Sequence, residues 1–188
     1  MAFFGVLMTV LADKDLRKGA AKALQTGANF IADVFDDDGD GNIESDDFNE
    51  AVELQKHFVS IMALMSGIDG TISDEEEAQT YEIIEDLFLD SEDEDAFFTQ
   101  ELLESVGVKK RDLINQLMKV FEKPYGLPEI INIAKKYELE STMYIYACIL
   151  AYSDKEVNQK EREFLDLLSE KLDLNRIEKK KIEKETFV

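Results

Sequence analysis

Apolar residues recur along most of the chain at steps of three and four positions, and no stretch alternates convincingly between apolar and polar residues. Steps of three and four place side chains on one face of an α-helix, whereas alternation would indicate a strand. The pattern therefore predicts an all-α fold, a helical array of nine segments. These cover residues 14–35, 45–66, 73–89, 95–106, 109–122, 127–137, 140–153, 159–172 and 174–186.

Residues that end helices separate these segments. Gly67 and Gly70 follow the second predicted helix, Gly107 follows the fourth, and residues 124–126 (Pro-Tyr-Gly) make the sharpest break. No long flexible linker divides the chain. We therefore expect one helical array with a short N-terminal extension.

Composition agrees with this fold class. The chain has 188 residues, enough for one domain or for a small module joined to a larger one. Hydrophobic residues make up 45% of it, which argues against wholesale disorder, and only 2 Pro and 9 Gly interrupt it. The low content of Pro and Gly thus favours helices, in agreement with the spacing of the apolar residues.

The net charge of -21 narrows the classes of partner. A protein that binds nucleic acid neutralises phosphates with Lys and Arg, so no nucleic-acid partner is expected. Simple electrostatic docking on anionic lipid is disfavoured for the same reason. The charge suits cations, basic partners or plain solubility.

The single cysteine and the single histidine limit the candidate chemistry further. Cys148 and His57 cannot make a disulfide framework, and they argue against a Cys–His zinc site. Cys148 lies in an apolar helical stretch, where a buried small hydrophobe is the expected role.

The first twelve residues, MAFFGVLMTVLA, form an apolar N-terminal stretch. They are too few to span a bilayer, and they lack the basic start and the cleavage site of a signal peptide. We expect this stretch to pack on the domain or on a partner; shallow membrane contact through residues 1–12 is the less favoured alternative. The predicted location is the cytoplasm, with a peripheral position at the inner membrane face as the alternative.

One acidic stretch, residues 36–47, matches the calcium-loop pattern D-x-[DN]-x-[DN]-G-x5-E except at its last position. A hard divalent cation takes six to eight oxygens, and Gly41 at the sixth position permits the sharp turn that brings alternate carboxylates together. A generic acidic turn would not predict that glycine, Ile43 at the eighth position and apolar helix faces on both sides. The stretch resembles the EF-hand family. The predicted metal ligands are Asp36, Asp38, Asp40, Asn42 through its carbonyl, Glu44 and Asp47.

Asp47 stands where the pattern has Glu, and this affects the choice of metal. Asp is one methylene shorter than Glu and gives a single oxygen more readily, which weakens Ca²⁺ and relatively favours the smaller, octahedral Mg²⁺. We therefore expect Ca²⁺ as the cofactor, bound with reduced selectivity over Mg²⁺. Repulsion among five carboxylates in the empty loop should make its ordering depend on metal.

The second half of this loop recurs twice as a shorter pattern. Residues 40–47, DGNIESDD, are echoed by 69–76, DGTISDEE, and more weakly by 154–161, DKEVNQKE. Both echoes lack the first two ligands. Capping boxes at Ser73 with Glu76, and at Asn158 with Glu161, account for the spacing without a metal.

The two echoes also carry a second resemblance. The segments MALMSGIDGTISDEEEAQTYEIIEDLF and YIYACILAYSDKEVNQKEREFLDLLSEKLDL look like the two halves of a TerB-like (tellurite-resistance) domain over residues 46–188. That resemblance implies an all-helical domain without a demonstrated catalytic centre, of bacterial stress and metal-resistance systems. It also implies metal chelation by Asp69 with Glu76, and by Asp154 with Glu161. Lys155 stands where the first copy has Gly70, so whether these residues bind metal or only cap helices stays open.

These patterns together predict two units: N-terminal helices with an EF-hand over residues 1–50, and a TerB-like domain over residues 46–188 that shares the exiting helix. The expected function is non-enzymatic: a divalent-metal binding module, responsive to metal or stress, with a protein partner. The alternative is a structural scaffold with a permanently bound Ca²⁺ or Mg²⁺. A metal-dependent hydrolase is less favoured, because no histidine constellation or nucleophile motif accompanies the loop.

Overall fold

The computed structural model describes residues 45–70, 72, 80–81, 84, 100–151 and 157–186. Within these residues the chain forms seven α-helices and one 3-10 turn, and no strand. The helices are α1 (Ser45–Ser66), α2 (Gln100–Ser105), α3 (Lys110–Glu122), α4 (Leu127–Lys136), α5 (Glu140–Ala151), α6 (Gln159–Lys171) and α7 (Arg176–Thr186); the 3-10 turn Gly67–Asp69 follows α1. The all-α prediction is confirmed for this part of the chain.

Helix α1 runs through the core. Its first turns bury one face, at Phe48, Ala51 and Val52. Between Leu54 and Met65 every residue except Lys56 and Leu64 is buried. This part of α1 is buried around the helix because other helices surround it: α1 packs against α3, α4 and α5.

Helix α5 is the second central element. It packs against α1 on one side and against α4, α6 and α7 on others. Met143, Tyr144, Ala147 and Cys148 on α5 have no exposed surface. Burial of each large apolar side chain contributes on the order of 1.5–3 kcal/mol, so the α1–α5 contact is a main source of stability.

Three helices end in the same backbone arrangement. After α2, α4 and α6, a residue with positive φ is followed by an apolar residue whose N–H donates to a carbonyl five residues earlier. This is the Schellman motif, which satisfies carbonyls at a helix end. The positive-φ residues are Gly107 (69°), Glu138 (56°) and Asp173 (56°).

Two helices begin with capping boxes. The side chain of Asn158 accepts from the Glu161 N–H at 3.0 Å, and the Glu161 carboxylate accepts from the Asn158 N–H at 2.8 Å. Asn175 and Glu178 make the same reciprocal pair at the start of α7, each at 3.0 Å. The first box confirms the capping prediction at Asn158; the second follows the same Asn-x-x-Glu spacing and was not predicted.

The predicted segments match the described helices closely. The prediction of 45–66 is confirmed for α1, and the bounds of α3 to α7 differ by one or two residues, as helix ends commonly do. For the predicted helix 73–89 the structure describes residues 80, 81 and 84, which are helical, with Thr80 and Ile84 buried. The predicted helix 14–35 and the apolar N-terminal residues 1–12 lie outside the described residues.

Candidate metal site and the two turns that resemble it

The predicted metal loop meets the described part of the chain at its last residues. Helix α1 begins at Ser45, so Asp47, at the twelfth loop position, belongs to the first turn of that helix. The other predicted ligands lie outside the described residues: Asp36, Asp38, Asp40, Asn42 and Glu44. Their use as ligands therefore stays a prediction.

The helix that leaves the loop has the predicted apolar face. Phe48, Ala51 and Val52 are 4–5% exposed and belong to the main core. Asp47 directly precedes Phe48, so the last residue of the predicted loop is adjacent in sequence to a buried core residue.

The first echo of the loop is a tight turn after α1. Asp69 ends the 3-10 turn and is exposed, and Gly70 follows with φ of 112°. The Gly70 N–H donates to the Gly67 carbonyl at 3.0 Å, so the glycine closes the turn in the left-handed conformation that the sequence predicted. Ser73 and Glu76, the capping pair and candidate ligand of this echo, lie outside the described residues.

The second echo uses its glutamate for capping. Glu161 accepts the Asn158 N–H with Oε2, which leaves that oxygen engaged at the start of α6. Asp154, its predicted companion, is not among the described residues. For Glu161, the capping role is thus observed, whereas the metal role is not tested.

The structure brings the two echoes together. The Lys160 ammonium on α6 donates to the main-chain carbonyl of Asp69 at 3.0 Å, and α6 packs against the 3-10 turn. A cation placed at the carbonyl end of a helical segment is favourable, because the unpaired carbonyls there carry partial negative charge. A metal ion at this carbonyl would have to share it with, or displace, the ammonium group.

The described residues hold no group of three or more His, Cys, Asp or Glu side chains arranged to hold a metal ion. Loop positions 36–44, Glu76 and Asp154 are not among the residues to which this applies. This absence therefore applies to the described helical array and not to the predicted loop.

A polar cluster that sequence reasoning missed connects α1 to the turn before α4. The Tyr125 hydroxyl donates to Glu53 at 3.2 Å, and the Tyr125 N–H donates to the Ser60 hydroxyl at 3.0 Å. His57, 7% exposed, lies with its ring centroid 4.6 Å from that of Tyr125. Its Nδ1 is 2.7 Å from the Glu53 carbonyl, which can only accept, so Nδ1 carries the proton. The Pro-Tyr-Gly break was visible in the sequence, but its partner on α1 was not.

Electrostatics in this cluster stabilise the charged form of Glu53. Burial alone would raise the pKa of Glu53, but its hydrogen bond and charge interaction with Lys56, together with the Tyr125 hydroxyl, hold the pKa below its usual value. Burial and the Glu53 charge raise the pKa of Tyr125. The tyrosine therefore stays a neutral donor to an ionised acceptor.

A second polar contact joins α5 to α7 inside the core. The hydroxyl of Tyr144, which has no exposed surface, donates to the Glu183 carboxylate at 2.9 Å. Cys148 lies one turn further along α5, and burial raises the pKa of its thiol well above the usual range. The thiol is therefore protonated, and the burial of Cys148 confirms the role of a buried small hydrophobe predicted for it.

Among the helices that the structure describes, none combines the length and the apolar character needed to cross a bilayer. Comparisons with known proteins do not add a family: no family model, curated protein or solved structure matches this chain.

Proposed function

We propose that this protein is a non-enzymatic divalent-metal binding module, in which an EF-hand-like loop is joined to a TerB-like helical domain. The loop would bind Ca²⁺, with Mg²⁺ as a competitor, through the six residues predicted above. The observation that carries the proposal is the loop pattern at residues 36–47 followed at once by α1. The burial of Phe48, Ala51 and Val52 on α1 supports it, because the EF-hand pattern has an amphipathic helix directly after the loop.

The packing of α1 indicates which part can respond to metal. Because α1 is surrounded by α3, α4 and α5, it cannot swing without exposing buried side chains. A metal-dependent change of angle would therefore move residues 14–35 relative to a stationary α1, and with them the apolar residues 1–12. In this form the protein acts in the cytoplasm and presents the metal-dependent N-terminal part to a protein partner.

The same packing also favours the alternative of a permanent structural ion. An exit helix that is already buried gains little from metal-driven movement, and an ion could simply fasten residues 1–44 to it. The two functions differ in affinity, since a structural ion stays bound through dialysis whereas a sensor exchanges near micromolar Ca²⁺. A metal-dependent hydrolase has less support than either, because the sequence has one histidine and no nucleophile motif.

Calorimetric titration of the full chain with Ca²⁺ and with Mg²⁺ tests the proposal. Asp36→Ala removes the first ligand and should abolish binding, whereas Asp37→Ala, at a position without a ligand role, removes the same charge and should leave binding nearly intact. Equal losses in both variants would mean that the chain attracts cations by charge alone. Unchanged binding in Asp36→Ala would contradict the proposed loop.

A further inference from the structure

Helix α7 buries much less of itself than its neighbour α6 does. Of residues 176–184, whose burial is described, Ile182 alone is buried; Lys179 and Glu183 are half-buried and the other six are exposed. Helix α6 buries three apolar side chains, those of Phe164, Leu165 and Leu168. Because the burial of apolar surface is the main favourable contribution to packing, α7 is held to the array less strongly than α6 is.

Polar contacts add to the attachment of α7. Glu183 accepts the hydrogen bond from Tyr144 on α5 at 2.9 Å, and Lys179 is paired with Asp166 on α6. Lys181 takes part in a further interaction. The net contribution of such contacts is modest, because water replaces the lost partners when a polar group separates from the protein. The attachment of α7 therefore combines one buried apolar side chain with contacts that water can replace.

The turn before α7 separates it from an anchored residue. Leu172, directly after α6, is 2% exposed, whereas Asp173 is exposed and has φ of 56°. Asn175 and Glu178 then cap the start of α7 with two reciprocal hydrogen bonds of 3.0 Å. This capping box lies within four consecutive residues, so it moves together with α7 and does not depend on the packing of the helix. Residues 173–175 are therefore placed to act as a hinge.

Helix α7 covers a face of α5 that carries two reactive side-chain types. Tyr144 and Cys148 are four positions apart, so they lie on the same face of α5, and neither has exposed surface. The hydrogen bond from Tyr144 to Glu183 shows that α7 lies over this face. Burial, and after it the charge of Glu183, raise the pKa of the Cys148 thiol. Both side chains are thus close to α7.

We propose that α7 is a strap that opens while the other described helices stay packed, and that its position controls access to Tyr144 and Cys148. In the closed state neither side chain meets solvent. In the open state the thiol leaves its apolar surroundings and the Glu183 carboxylate, so more of it is present as the reactive thiolate. Such an opening is a local event that costs less free energy than unfolding of the whole array. The strap therefore makes the reactivity of this thiol depend on the position of α7.

Thiol labelling of the full chain tests the strap, because Cys148 is the only cysteine. Its thiolate attacks a chromogenic aromatic disulfide, forms a mixed disulfide with one half of the reagent and releases the other half as a coloured thiolate. We expect a labelling rate that changes little at low urea concentrations, since opening of α7 exposes little surface. A rate that rises with the full urea dependence of global unfolding from the lowest concentrations would overturn the proposal.

Two matched variants separate opening of α7 from global unfolding. Ile182→Val and Ile61→Val each remove one methylene from a buried side chain, the first on α7 and the second on α1. Ile182→Val should speed labelling without urea by about two- to tenfold, the change expected for this truncation. Ile61→Val should lower global stability and leave that rate unchanged. Equal acceleration by both variants would contradict a separate opening of α7.

Trypsin digestion under native conditions locates the opening. A helix as short as α7 is marginal in water once it leaves the array, so its open state should be cleaved after Lys180 or Lys181. Cleavage of a transiently open state follows the population of that state when closing is fast. Ile182→Val should therefore raise the rate of cleavage within α7, measured from peptide masses, by the same factor as the rate of labelling. Faster labelling without faster cleavage within α7 would place the opening elsewhere and overturn the proposal.

Discussion

The ammonium of Lys160 lies 3.0 Å from the main-chain carbonyl of Asp69, a residue 91 positions earlier in the chain. This contact places the two turns that resemble the second half of the metal loop side by side. One turn uses Gly70 to leave a helix, and the other uses Asn158 and Glu161 to begin one. The two turns therefore share a sequence pattern and a location.

Replacing Lys160 tests how much this contact stabilises the fold. Lys160→Met keeps most of the aliphatic chain and removes the donor, so we expect a loss of about 0.5–1 kcal/mol in the free energy of unfolding. Lys171→Met, on the same helix, should cost less, because that ammonium lies 3.7 Å from its sequence neighbour Glu170. Urea unfolding of the two variants measures the difference; equal stabilities would mean that the Asp69 contact contributes nothing.

Lengthening Asp47 should change metal selectivity. Asp47→Glu restores the usual last ligand of the loop, which can give two oxygens, so Ca²⁺ affinity should rise by about tenfold and Mg²⁺ competition should fall. Asp46→Glu, one position earlier, makes the same chemical change outside the ligand pattern and serves as the control. Competition calorimetry measures the Ca²⁺ affinity of both variants in the presence of Mg²⁺. An equal change of affinity in both variants would count against Asp47 as a ligand.

The left-handed residue at the end of α4 predicts a stabilising substitution. Glu138 has φ of 56°, a conformation that strains residues with a Cβ and suits glycine. Glu138→Gly should raise the free energy of unfolding by about 0.5–1 kcal/mol. Glu138→Ala removes the same charge but retains the strain, so it should not produce that gain. Thermal unfolding of the pair separates backbone strain from charge.

The hydrogen bond between Tyr144 and Glu183 should stabilise the contact of α5 with α7. Tyr144→Phe removes the hydroxyl donor inside the core and should cost about 1–2 kcal/mol, because the carboxylate loses a charged hydrogen bond. Glu183→Gln keeps an acceptor and should cost less. A double-mutant cycle between Tyr144→Phe and Glu183→Ala should give a coupling energy of about 1 kcal/mol. Additive effects would show that the two side chains do not interact.

Glu53 should make stability depend on pH in one direction. Its pKa in the fold lies below the ordinary value of 4.5, so the native state favours the ionised form more than the unfolded chain does. The resulting stabilisation is present above about pH 4.5 and is lost as the pH falls through the native pKa. Because the side chain of Glu53 is 53% exposed, solvent screening keeps the effect small, roughly 0.2–1 kcal/mol.

Comparison of unfolding free energies at pH 7 and below pH 4 tests this effect. The wild type should lose more stability over that interval than Glu53→Gln does, whereas Glu122→Gln, on an exposed position of α3, should follow the wild type. Identical pH dependence in the wild type and Glu53→Gln would contradict a lowered pKa for Glu53.

Local sequence signals were sufficient for the helices and several of their ends. The spacing of apolar residues predicted α1 at 45–66, and the Asn158-x-x-Glu161 spacing predicted a capping box. Gly70 and Gly107 both adopt the positive φ expected of residues that end helices. All these features depend on atoms within about five residues of each other along the chain, so a single sequence contains the information.

Similar local features escaped prediction where the residue type was unusual. Glu138 and Asp173 take the left-handed conformation without being glycine. Each is followed by a leucine, Leu139 and Leu174, which is buried or half-buried. Packing of that leucine compensates for the strain, and its burial depends on the rest of the fold. For the metal loop, the spacing of the ligands predicts a site. Five of the six predicted ligands lie outside the described residues, so this prediction is not tested.

The sequence alone determined the helical class and most helix bounds of the described residues, and it predicts a loop with the spacing of metal ligands at residues 36–47. Only the tertiary structure decided which residues meet: Lys160 with Asp69, Tyr125 with Glu53, and Tyr144 with Glu183, which are separated by 91, 72 and 39 positions. The physical reason is that helix periodicity and capping are short-range, whereas long-range pairs depend on how buried helices such as α1 and α5 pack together.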